Sequence, residues 1–131
     1  MKLQTSGHIS TEDLKEVTQH YLSRVFNSMY FIVNNAKIEV NSSCLDQPDR
    51  PHSSFVRVSP TADIVTAKIK DRAGQIISVG LPLGTLQNAV LEYYKATEGI
   101  QIKSIEPSID DGIRDRGGNM PETFNGFTIE I

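Results

Sequence analysis

The chain lacks most of the features that make a function legible from sequence. It has a single cysteine, Cys44. One thiol cannot build an internal disulfide framework and fits a reducing compartment, so the expectation is a cytoplasmic protein. The opening residues, MKLQTSGHIS, have no apolar stretch of the kind a secretory signal needs. The longest aliphatic-aromatic run, Met29 to Val33, is far shorter than a membrane span. The net charge of −3 is mild and supplies no basic face for bulk nucleic-acid binding.

Catalytic and metal signatures are equally sparse. No two histidines or cysteines share metal-ligand spacing, so no zinc site is expected. Cys44 and His52 bracket a loop, but no third group is available to orient the histidine, and no catalytic residue is assigned. Gly80-Leu81-Pro82-Leu83-Gly84 has glycines without the spacing of a phosphate loop. No cofactor is expected.

What is present reads as one α+β domain. The 131 residues are enough to bury a core without disulfides, and the 38% hydrophobic and 22% charged content is ordinary for a globular chain. The legible kernel is Val65 to Gly99. Val65, Ala67 and Ile69 alternate with Thr66, Lys68 and Lys70, the period of a half-buried strand. Asp71-Arg72-Ala73-Gly74 is a four-residue turn, and Ile76, Ile77, Val79 and Leu81 resume β character. Pro82 suits a helix start. Leu83, Leu86, Ala89, Val90, Tyr93 and Tyr94 form one stripe, and Gly99 is the stop. A second helix over about 82–98 follows.

Upstream, residues 1–9 are polar and predicted to be flexible, leaving 10–131 as the domain. Ser10 and Asp13 resemble a capping box. Leu14, Val17, Tyr21, Val25, Met29 and Ile32 keep one helical stripe, which predicts a long first helix reaching Asn34. The same Met29–Val33 run also fits a strand turning at Asn34-Asn35. A helix of that length would leave its apolar end uncovered, which points to a homodimer or higher oligomer. Short strands are expected at Lys37–Val40, Phe55–Val58, Ile100–Lys103 and Phe127–Ile131. The expected architecture is an antiparallel sheet of five or six strands under two helices.

Pro107 to Gly126 has no clear periodicity, and loops of that length in compact domains are usually functional or disordered. Within it, Arg114 and Arg116 beside Gly117 and Gly118 can present guanidinium forks and backbone N–H groups to phosphate or carboxylate. Asp111 can hold those arginines, and Arg57, mid-strand, is a further cation. The bland reading is a solvated turn whose arginines pair with the neighbouring aspartates, and an Arg57 that faces water while Val56 and Val58 face the core. The favoured expectation is a non-enzymatic, oligomeric binding protein for a small anionic, nucleotide-like ligand. The alternatives are an assembly subunit whose 107–126 loop is interface, and a small enzyme using Asp110, Asp111 or Asp115 as acid–base group.

Overall fold

The structure, a computed structural model, describes residues 6–46, 57–110, 114–115, 118–119 and 123–131, with backbone only at Asp46, 114–115 and 118–119. The chain opens with strand β1 (Ser6–Ile9) and helix α1 (Thr11–Val25). Strands β2 (Phe31–Val40), β3 (Leu45–Asp46), β4 (Arg57–Val58), β5 (Asp63–Asp71) and β6 (Ile76–Pro82) follow. Helix α2 (Leu83–Glu98) leads to β7 (Ser104–Asp110), β8 (Arg114–Asp115), β9 (Gly118–Asn119) and β10 (Thr123–Glu130).

The class is α+β, but the strands do not form one sheet. Two three-stranded antiparallel sheets are present among the described residues, in the orders β1-β10-β7 and β2-β5-β6, with two-stranded pairs β3-β4 and β8-β9. A shared core joins them. It takes Ile9, Phe124, Phe127 and Ile129 from the first sheet, Val65 and Leu81 from the second, and Leu14, Val17, Leu86 and Val90 from the helices.

The central unit forms as its pattern dictates. Val65, Ala67 and Ile69 are buried and Lys68 and Lys70 exposed. The turn is tighter than expected: Asp71 N–H donates to Gln75 O at 2.9 Å, leaving a three-residue loop that Gly74 closes at φ 90°. Helix α2 begins at Leu83, with Pro82 as its cap residue. It ends where Gly99 takes φ 66° and both Gly99 and Ile100 N–H groups reach Tyr94 O.

Four expectations are corrected. Residues 6–9 are a strand: β1 pairs with β10, Ile9 opposite Phe127, and Ile9 is buried. Helix α1 does begin with the Ser10–Asp13 capping box, the two residues exchanging bonds of 3.1 Å, but it stops at Val25. The cause is Asn27, whose side-chain oxygen accepts Met29 N–H at 2.8 Å and whose carbonyl accepts Tyr30 N–H at 3.0 Å. That local turn competes with the helix, and the β-prone Tyr30-Phe31-Ile32-Val33 run then enters a strand. Residues 100–103 are not a strand either; β7 starts at Ser104. The Pro107–Gly126 loop shrinks accordingly, because 107–110 belong to β7 and 123–126 to β10.

One irregularity shapes the second sheet. Ile32 pairs with Lys70 and Lys37 with Lys68, so four β2 residues, 33–36, stand against Ile69 alone. Asn35 absorbs the bulge at φ 62°, a conformation asparagine tolerates better than most residues. Gln19 of α1 holds the bulge from the inner side, donating to Val33 O at 2.7 Å.

Candidate functional site

The arginine–glycine loop enters and leaves through a ladder, since Asp110 and Thr123 are partners in the β7–β10 pairing. Between them, β8 and β9 form a small hairpin with Arg114 opposite Asn119 and Asp115 opposite Gly118. Asp111, Arg116 and Gly117 lie outside the described residues. Arg57 is exposed on β4, and Val58 beside it takes the core side. Strand β4 packs against β7, so Arg57 and the loop's root belong to neighbouring elements.

The loop's two roots, Asp110 and Thr123, line a polar groove of about 490 Å³ together with Glu12, Lys15, Glu39 and Asn125. Among the described residues its one cation, Lys15, is already paired with Glu12 at 3.2 Å. Asp110 accepts a bond from Asn125 at 3.0 Å and is exposed. Three carboxylates around one paired lysine repel an anion, so the described lining gives the loop arginines no help.

A second groove, of about 550 Å³, lies on the outer face of β2-β5-β6 at the bulge. Lys37, Lys68 and Lys70 line it with Asn34 and Asn35, between Ile32 and Ile76, and no carboxylate takes part. Lys37 and Lys68 are direct cross-strand partners. Like charges directly opposite each other weaken a sheet. Among the described residues neither these two nor Lys70 has an ion-pair partner. The groove therefore concentrates uncompensated positive charge and free amide groups above an apolar rim.

Sequence reasoning missed this groove. The alternation of β5 put Lys68 and Lys70 on the solvent face, but placing Lys37 opposite them requires the β2–β5 register and its bulge. Neither is a local signal.

Nucleophile chemistry gains nothing from Cys44. It is buried, and burial pushes its thiol up, away from the reactive thiolate. His52 lies outside the described residues. No trio of histidine, cysteine and carboxylate side chains with metal-binding geometry occurs among the described residues. No helix there is long and apolar enough to cross a membrane. Comparison with known protein families, curated proteins and solved structures finds no match to this chain.

Proposed function

We propose that the chain is a non-enzymatic, oligomeric binding protein for a small anionic, phosphate-bearing ligand, seated in the lysine groove. The observation that supports it is the Lys37–Lys68 opposition, with Lys70 beside it and no carboxylate in the lining. An anion would convert a destabilising pair of charges into a bridged one. Lysine ammonium groups serve phosphate as point charges, and the Asn34 and Asn35 amides add directional donors. The loop cations Arg114 and Arg116, with Asp111, Gly117, Gly118 and Arg57, are a second seat for the same chemistry.

Calorimetric titration with inorganic pyrophosphate and with ATP at low salt tests both seats. Binding lost in Lys37→Gln/Lys68→Gln and kept in Arg114→Ala/Arg116→Ala is the expected result. The reverse pattern moves the ligand to the loop. No heat from the unaltered protein with either probe removes the reading.

A protein-interaction role is the second reading, favoured by one observation. Met29, Tyr30, Ile32 and Ile76 are exposed at 71%, 62%, 41% and 66%. Arg72 ties the turn carrying Met29 and Tyr30 to the β5–β6 hairpin, donating to Ser28 O at 2.6 Å and to Tyr30 O at 3.0 Å. An apolar cluster fixed at one end of the molecule suits a protein partner. It predicts stable association with no thermal response to pyrophosphate or ATP.

A further inference from the structure

The exposed apolar residues and the lysine groove belong to one face. Ile32, Lys70 and Ile76 are direct partners across β2, β5 and β6, and directly opposed residues share a side of the sheet. The neighbouring outward row holds Lys37, Lys68 and Ser78. Lys68 and Lys70 are two residues apart on β5, so the rows are offset by about 7 Å. Beyond the first row, exposed Met29 and Tyr30 cap the same end, where Arg72 bonds the backbone of Ser28 and Tyr30.

Carboxylates are kept from this end of the outer face. Asp71 stands opposite Phe31, which by alternation is the inner side, and its carboxylate accepts Gln75 N–H at 2.8 Å. Glu39 is one row further from the apolar tip than Lys37 and lines the other groove with Glu12 and Asp110. Asp63 fills the space over Gly80, at the opposite end of β5 from Lys70. The outer face thus runs from an apolar tip, through lysines, to acids.

We propose that the tip and the lysine groove lie on a membrane surface that carries anionic phospholipid headgroups. Met29, Tyr30, Ile32 and Ile76 enter the boundary between headgroups and acyl chains, and Lys37, Lys68 and Lys70 meet the headgroup phosphates. The inference rests on the anion reading of the same groove and names what bears the phosphate. Charge complementarity selects a negative surface, because no carboxylate takes part in the groove lining. A soluble phosphate compound would meet the lysines and leave Met29 and Tyr30 in water, whereas a bilayer covers both sets. Interfacial amphipathic segments bury their apolar side about 5–10 Å deep, which matches the offset between the two rows. Lysine stems can lie along the isoleucines while their ammonium groups reach the phosphates. Contact of this kind lies on the bilayer and needs no membrane-crossing helix.

Vesicle co-sedimentation at low salt tests the proposal, with phosphatidylcholine alone and with phosphatidylcholine and phosphatidylglycerol in equal parts. The native protein is expected to pellet with the mixed vesicles only and to be released as salt is raised. Each lysine near an anionic surface contributes about fivefold to partitioning, so Lys37→Gln/Lys68→Gln should lose about thirtyfold. Met29→Ser/Ile76→Ser alters exposed side chains, so it should keep the native circular dichroism and its heat with pyrophosphate, yet lose the vesicles. A native protein that stays in the supernatant with mixed vesicles overturns the proposal; heat with pyrophosphate in that case leaves the soluble-anion reading standing alone. An oligomer that ignores vesicles and is dissociated by Met29→Ser/Ile76→Ser overturns it in favour of a second copy. Vesicle binding unchanged in that variant also overturns it. Native binding to the mixed vesicles without heat from pyrophosphate supports the surface and removes the small soluble ligand.

Discussion

Lys37 and Lys68 face each other directly across β2 and β5 on the outer side of the sheet, with no carboxylate in the groove they line. Such a pair weakens the sheet, and under the proposed reading a bound anion offsets that cost. Lys68→Thr therefore stabilises the ligand-free fold, by about 0.5 kcal/mol, while removing the response to anions. Urea midpoints with and without pyrophosphate measure both effects. The native protein gains stability with pyrophosphate and the variant does not.

Gly126 sits at φ 92° where β10 slips register between Phe124 and Phe127, and a Cβ there would run into the Ile9 carbonyl. Gly126→Ala combines backbone strain with a collision against another strand's main chain. A loss of at least about 2 kcal/mol is expected in urea unfolding. Gly84, by contrast, is open on all sides, and Gly84→Ala should leave stability nearly unchanged.

The reciprocal Ser10–Asp13 bonds at the start of α1 satisfy two backbone donors at once. Ser10→Ala is expected to cost about 1 kcal/mol. Hydrogen exchange at the first turn of α1 should rise with it, while the β5–β6 hairpin keeps its protection.

Much of this architecture was legible because it is local. The capping box, the β5–β6 hairpin and the α2 stripe with its Gly99 stop each depend on residues within a few positions of one another. The end of α1 is ambiguous in the sequence because Met29 and Ile32 continue the helical stripe, while the Asn27 side chain that breaks it gives only a weak signal. The division into two sheets depends on Ile9 meeting Phe127 and on Lys37 meeting Lys68. Both are long-range pairings, and the second passes through a bulge that shifts the facing of every later β2 residue. The candidate groove was hidden for the same reason. Two of its lysines could be placed on a solvent face, but not the third one opposite them.

Alkaline pH should destabilise the fold. Burial pushes the Cys44 thiol up. Burial, followed by nearby carboxylates led by Glu16 at Tyr93 and Asp13 at Tyr94, pushes both tyrosine hydroxyls up. In each case the unfolded chain loses its proton at a lower pH than the folded one. Above the ordinary thiol and phenol range the folded state holds more protons, so stability falls as pH rises. Urea midpoints near neutrality and at progressively alkaline pH check the sign. Alkylation of Cys44 should track unfolding and be slow in the native protein.

Native mass spectrometry of the freshly purified protein tests the anion-binding claim most directly. The expected result is a dimer carrying a phosphate-bearing small molecule, or taking up pyrophosphate when it is added, with the added mass lost in Lys37→Gln/Lys68→Gln. A bare protein that gains no mass with pyrophosphate at low salt would contradict it.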